Sequence, residues 1–295
     1  MTLLQNEKEV IALMRLIDDP DLEIFEMVSQ KLLTYGTGII PKLEQLWGFT
    51  DSSIMTDRIE YLIHQIYFQQ LQTELIKWTQ NSAPSLLEAG ILIAKYRYPD
   101  LDKELILHQF ELMRRNIWLE LNNSLSPLEQ INIVNSIVFN FFRFKGHELS
   151  ELNPEHFFLN KTIDNKHGNA YTIGIIYLSL CEQLDIPIFA IDLPHQFVMA
   201  YFEHNYSFMD LNESNAIQQL QLFIDPINGI VYNKKDIETF LIKNEQPEKI
   251  NNLKALDKND FFALMLKSLS HTYYETRAFD LADEIESLII LLNKG

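Results

Sequence analysis

Cysteine and basic residues are scarce in this chain. One of its 295 residues is cysteine, so no disulfide can form within the chain, which agrees with a reducing compartment. Lysine and arginine together number 24, against 41 aspartates and glutamates, and the formal net charge is −17. Because an acidic chain repels phosphate backbones and no basic cluster reverses this locally, we expect no nucleic-acid partner.

Long apolar runs and glycine-rich loops are also missing. No stretch approaches the roughly 20 apolar residues that a membrane-spanning helix needs. The first residues, Met1 to Glu9, lack the basic flank and apolar run of a signal peptide. We therefore expect a soluble, cytoplasmic protein with no membrane partner. The nine glycines are scattered and form no phosphate-binding loop, and we expect no cofactor.

The residues that are present predict a folded chain of three parts. Hydrophobic residues make up 47% of the sequence, as in globular proteins. From Glu7 to Thr79 apolar residues recur at helical spacing, and the short helices separated by tight turns resemble HEAT-type repeats. A polar cluster at residues 81–85 marks a boundary. We predict a HEAT-like helical module over 1–82, a core with its preceding helices over 83–250, and a C-terminal helical hairpin over 251–295.

The pattern within the predicted core indicates an α+β fold. Helical spacing predicts helices over 86–95, 102–122, 127–144 and 170–184, and residues 147–167 read as a loop with one short helix. Ser126 and Glu129 form a capping-box pattern before the third of these helices. Short β-favouring segments follow at 188–191, 197–202, 206–209 and 222–224, which predicts a small antiparallel sheet.

The chemistry of the sequence centres on the stretch from Gly168 to Asp225. Helix N-termini carry partial positive charge, so a thiolate would be stabilised at about position 170, at the start of a predicted helix. The residue there is Ala170. His195 follows in the strand region, and Asp225 ends a later strand.

This order of helix, histidine and aspartate resembles the papain-like transglutaminase core. The runs Phe158 to Asn160, His167 to Asn169, Leu193 to Phe197 and Phe223 to Gly229 are similar to the soluble transglutaminase-like branch of the bacterial SirB family. The resemblance covers residues 127–240 and extends more loosely into the flanking helices. It implies that the family's nucleophilic cysteine falls on Ala170, its histidine on His195 and its aspartate on Asp225. In that branch the cysteine position is commonly occupied by another residue.

An alanine at the nucleophile position closes the thioester route, because acyl transfer by cysteine requires a thiolate. Cys181 lies eleven residues further along the same helix, about 16 Å away at 1.5 Å per residue, and reads as a buried apolar group. The side chain of Thr172 points about 200° around the helix from that of residue 170, so we do not expect its hydroxyl to replace the missing nucleophile. Taken singly, His195 could equally be a structural histidine at the end of a strand, and Asp225 an ordinary turn residue. Because both occur in the order found in the transglutaminase core, we favour a position on a common cleft.

Two functions follow from the resemblance. The first is a pseudoenzyme: a non-catalytic peptide- or protein-binding module whose cleft comprises Gly168, Asn169, Ala170, His195 and Asp225 and takes a peptide end or a side-chain amide. The alternative is a hydrolase that uses His195 as general base with Asp225 as its orienter, without a covalent step.

Three histidines precede the cleft. His147, His156 and His167 are spaced by nine and eleven residues, with no cysteine nearby and no paired-histidine helix pattern. From this spacing we expect no metal site.

Overall fold

The structure is a computed structural model that describes residues 7–194, 196–202, 220–246, 253 and 255–293. It divides into two compact units, Met1–Glu74 and Leu75–Gly295. The domain boundaries expected at 82 and 250 stay predictions.

The first unit is built from amphipathic helices. Its helices are α1 (Glu7–Met14), α2 (Leu22–Leu33), α3 (Ile40–Trp47) and the start of α4 (Ser53–Thr79). The Asp21 carboxylate caps α2 by accepting the Glu23 N–H at 2.9 Å. Apolar residues at helical spacing form the core of this unit, among them Val10, Ile17, Leu32, Leu43, Ile59 and Leu62.

The second unit contains the remaining helices. They are α5 (Leu86–Arg97), α6 (Lys103–Glu120), α7 (Pro127–Asn135), α8 (Leu159–Asn165), α9 (Ala170–Gln183), α10 (Lys234–Lys243), α11 (Lys258–Glu275) and α12 (Phe279–Leu292). Helix α9 is the central element, since every residue from Ala170 to Cys181 is buried. It contacts α5, α6 and the first strand of the larger sheet. A helix that is apolar on all sides is stable only when neighbours surround it.

Two small sheets accompany these helices in the described residues. Strands β1 (Lys145–His147) and β2 (His167–Asn169) pair in parallel. Strands β3 (Ile188–Leu193), β4 (Gln196–Phe202), β5 (Leu220–Ile224) and β6 (Val231–Tyr232) form an antiparallel sheet in that order. The predicted α+β class, with helical regions flanking a small antiparallel sheet, is confirmed. The strand predicted at 206–209 lies outside the described residues.

The helix predicted over 127–144 differs from the observed one. Its start is confirmed, because Ser126 and Glu129 form the capping box. Helix α7 ends at Asn135, and residues Ser136–Phe141 continue as a π-helix in which the Phe142 N–H reaches back to the Ile137 carbonyl oxygen at 2.9 Å. Apolar spacing alone does not distinguish these two helix types, so the change could not be predicted.

The C-terminal helices α11 and α12 pack against each other. Both helices contribute buried apolar side chains, including Leu266, Leu269, Ile285 and Leu288. Among the described residues, no helix combines the length and the apolar character needed to cross a membrane.

Candidate functional site

The start of α9 is fixed by a reciprocal cap. Asn169 is the N-cap residue, and its Oδ1 accepts the Thr172 N–H at 3.1 Å. Thr172 Oγ1 in turn accepts the Asn169 N–H at 3.1 Å and donates its own proton to the His156 carbonyl oxygen at 2.9 Å. Thr172 therefore stabilises the helix start, and Ala170 becomes the first helical residue.

Gly168 is required immediately before this cap. A Cβ at this position would lie 2.7 Å from both Cγ2 and Oγ1 of the buried Thr162. Real Cβ atoms do not approach other atoms this closely, so only glycine allows β2 to pass α8 and enter α9. Gly168 and Asn169 thus position Ala170 through the backbone.

Ala170 and Asp225 line the same cavity, whose volume is about 560 Å³. The cavity is bounded on one side by Pro194 and Gln196, and His195 between them in sequence lies outside the described residues. Its other walls combine apolar side chains with carboxylates: Leu193, Phe197, Val198, Ile237 and Phe240, and Glu148 and Asp236. The structure thus brings together two of the positions that the family resemblance assigns to a catalytic triad. A second cavity, of about 680 Å³, is lined by residues of 79–86, 178–190 and 256–261 and not by these two positions.

Asp225 is half-buried at the end of β5. Its Oδ1 accepts the Ile227 N–H at 2.8 Å, and the Gly229 N–H donates to the Asp225 carbonyl oxygen at 2.9 Å. Burial raises the pKa of Asp225, although hydrogen bonds from Ile227 and Asn228 act in the opposite direction. The side chain therefore organises its own turn, and a carboxylate retains further lone pairs for a second partner.

The other reactive side chains of α9 are buried. Cys181 is fully enclosed, and burial raises the pKa of its thiol far above the ordinary value, which disfavours the thiolate. Burial, followed by the charge of Asp192, raises the pKa of Tyr171 to about 12. Neither group is ionised at neutral pH.

A cluster of histidines lies beside the cavity, and sequence spacing did not predict it. The parallel pairing of β1 with β2 brings His147 to 2.8 Å from His167, measured from Nε2 to Nδ1. His147 Nδ1 also lies 2.7 Å from Glu151 Oε2, and the rings of His147 and His156 stack with centroids 4.4 Å apart. Burial, followed by the proximity of His147, lowers the pKa of His156.

Spacing along the chain predicts no metal site, but the fold brings these distant positions together. His147, Glu151 and His156 each offer one ligand atom, and the three atoms lie within 4.8 Å of one another. One sequence signal for this cluster existed: the histidine and carboxylate four residues apart at 147 and 151.

Comparison with known proteins identifies the family of the chain. A family model described as the transglutaminase-like superfamily matches residues 104–279, and the chain belongs to this superfamily.

The individual relatives share low sequence identity with this chain. The chain is 21% identical to Protein SirB1 of Salmonella typhimurium over 216 residues, which cover 72% of this chain and 75% of SirB1. It is 26% identical to a UPF0162 protein of Xylella fastidiosa over 118 residues, which cover 39% of this chain and 41% of that protein. The chain therefore matches less than half the length of the UPF0162 relative. The similarity to SirB1 supports the SirB resemblance. No solved structure gives a significant match.

Proposed function

We propose that this protein is a non-catalytic transglutaminase-like protein that binds a peptide, or a peptide segment of a protein, in the cavity at the start of α9. The observation that carries the proposal is the methyl group of Ala170 on the wall of the cavity that Asp225 also lines. At the position where the family resemblance implies a nucleophilic sulfur, this chain has a side chain without any ionisable atom.

The neighbouring groups do not replace the missing nucleophile. The Cys181 thiol is fully buried, and its raised pKa keeps it protonated. The Thr172 hydroxyl is buried and is engaged with the His156 carbonyl oxygen and the Asn169 N–H. Activation of either group would require a base and an approach for substrate, and both side chains are enclosed by their helix packing.

The cavity walls favour a neutral or basic peptide segment. Three carboxylates, Glu148, Asp225 and Asp236, line the cavity, and no lysine or arginine is among its described lining residues. A ligand carboxylate would meet like charge there, whereas a lysine, arginine or amide side chain would not. Because the Asn169 N–H is already used in the cap, the first-turn N–H groups of Ala170 and Tyr171 are the ones suited to a ligand carbonyl.

The N-terminal unit supports a second protein contact. It carries large exposed apolar side chains, namely Leu22, Met27 and Trp47 on its helices and Phe49 in the turn after α3. Exposed apolar residues of this kind are common where helical proteins bind partners. We place both activities in the bacterial cytoplasm, which the single cysteine and the bacterial relatives support.

A matched pair of substitutions tests the cavity. Ala170→Leu adds three heavy atoms at the cavity wall, and Ala12→Leu makes the same change at an exposed position of α1. On an array of peptides that vary in charge, the wild type and Ala12→Leu should capture the same set, enriched in lysine, arginine, asparagine and glutamine. Ala170→Leu should lose about tenfold or more in affinity for that set. Equal capture by Ala170→Leu would show that the cavity is not the binding site.

The hydrolase alternative makes the opposite prediction. If His195 acts as a general base, amide or ester substrates should be turned over and His195→Ala should abolish the turnover. Our proposal predicts no turnover above that of His195→Ala across a broad panel of amides and esters. Turnover that depends on His195 would overturn it.

A further inference from the structure

Four side chains from separate segments meet next to the cavity. His147 ends β1, His167 begins β2, Glu151 ends the short 3-10 turn that follows β1, and His156 lies in a second 3-10 turn at Pro154–Phe157. His147 bridges two of the others, because Nδ1 contacts Glu151 at 2.7 Å and Nε2 contacts His167 at 2.8 Å. The His156 ring stacks on the His147 ring at 4.4 Å.

We propose that His147, Glu151 and His156 bind a divalent transition-metal ion of the zinc class, and that His167 positions His147 for this role. Two imidazoles and one carboxylate are a donor set that suits zinc and similar borderline cations. Three protein ligands leave one position of a tetrahedral site for water. This proposal is independent of the peptide-binding function.

The distances fit a site that closes on a cation with small side-chain movements. Zinc–nitrogen and zinc–oxygen bonds of about 2.0–2.2 Å in a tetrahedron separate neighbouring ligand atoms by roughly 3.4 Å. The three candidate atoms lie within 4.8 Å of one another, and His147 Nδ1 lies 2.7 Å from Glu151 Oε2. Binding therefore replaces the hydrogen bond between His147 and Glu151 with two metal bonds, whose ligand atoms move apart from 2.7 Å to roughly 3.4 Å.

His167 has the geometry of an outer partner of a metal-bound histidine. When His147 binds the ion through Nδ1, its Nε2–H donates to His167 Nδ1 at the observed 2.8 Å. A hydrogen bond of this kind fixes the tautomer and the ring orientation of the ligand.

The backbone around the cluster is held by the same contacts that fix the candidate cleft. In the β1–β2 register His147 pairs with Asn169, the cap of α9. The carbonyl oxygen of His156 accepts the Thr172 hydroxyl at 2.9 Å. Glu148, Leu149 and Ser150, which lie between two of the proposed ligands, line the cavity of Ala170 and Asp225. A bound ion would therefore order one wall of that cavity.

Calorimetric titration of the full chain with zinc chloride, after removal of metal with EDTA, tests the site. The wild type should bind one zinc ion per chain. His147→Ala, His156→Ala and Glu151→Gln should each weaken binding at least about tenfold, and His167→Ala by about 10–100-fold. His167→Gln keeps a hydrogen-bonding side chain and should recover part of the loss. His108→Ala, at an exposed position on α6, is the matched control and should bind as the wild type does.

A second measurement guards against loss of folding in the alanine variants. Cobalt(II) bound by the wild type should give the intense visible absorption of a four-coordinate nitrogen–oxygen site, and zinc should remove it. Glu151 is exposed, so Glu151→Gln should keep the circular dichroism spectrum of the wild type while losing the cobalt signal. The proposal is overturned if the wild type shows no one-to-one binding, or if Glu151→Gln binds zinc as tightly as the wild type and the His108→Ala control do.

Discussion

The side-chain amide of Asn135 donates a hydrogen bond of 2.7 Å to the carbonyl oxygen of Gly229. Its Oδ1 accepts the hydroxyl of Tyr177, on α9, at 3.1 Å. Gly229 closes the turn that Asp225 begins, and Tyr177 belongs to the helix that Ala170 starts. One asparagine at the end of α7 therefore connects the two elements that carry the candidate cleft.

Asn135→Ala should destabilise the protein by about 1–3 kcal/mol, because it leaves the hydroxyl of the fully buried Tyr177 without its partner. Urea unfolding followed by circular dichroism measures this change. Asn116→Ala is the control, since Asn116 makes one local bond to the Leu112 carbonyl oxygen within α6, and it should cost clearly less. Equal losses in both variants would contradict the bridging role of Asn135.

Gly146→Ala tests how closely β1 passes the turn after Asp225. A Cβ at Gly146 would lie 2.5 Å from the Ile227 Cα and 2.9 Å from its carbonyl oxygen, and backbone atoms cannot yield as a flexible side chain does. We expect a loss of about 1–3 kcal/mol in the free energy of unfolding. Gly48→Ala, whose nearest atoms are at 3.6 and 3.7 Å, should change it by less than about 0.5 kcal/mol. A tolerated Gly146→Ala would show that the two segments are further apart.

Asp225→Asn tests the electrostatics of the turn. Burial raises the folded-state pKa of Asp225 above its ordinary value of 3.8, so the folded state holds this proton more tightly than the unfolded state does. Tighter proton binding adds to the free energy of unfolding below the pKa that Asp225 has in the unfolded state. This contribution is lost as the pH rises through the pKa that Asp225 has in the folded state. Asparagine cannot ionise and keeps an oxygen for the Ile227 N–H. The stability of the variant relative to the wild type should therefore increase from acidic to neutral pH, measured by urea unfolding. A difference that stays constant or decreases would contradict the raised pKa.

Local sequence signals predicted much of the fold and little of the histidine cluster. Apolar periodicity and the Ser126–Glu129 pattern predicted the helices, and β-branched and aromatic runs predicted β3, β4 and β5. The pairing of Lys145–His147 with His167–Asn169 could not be predicted in this way, because segments of three polar or small residues lack the alternation of apolar and polar residues that indicates a strand. Since this pairing assembles His147 and His167, their proximity could not be read from spacing. The shared cavity of Ala170 and Asp225 depends likewise on contacts between segments distant in sequence.

Substitution of Ala170 by cysteine tests the central claim most directly. A thiol at the first residue of α9 would face the partial positive charge of the helix start, and the family resemblance places His195 beside it, so its pKa should fall. Ala12→Cys provides an ordinary exposed thiol for comparison. The wild type, whose single cysteine is the buried Cys181, measures the background labelling. With iodoacetamide at neutral pH, followed by intact mass, we predict no labelling of the wild type and faster labelling of Ala170→Cys than of Ala12→Cys. Labelling of Ala170→Cys no faster than that of Ala12→Cys would contradict the assignment of position 170 as the degenerate nucleophile site.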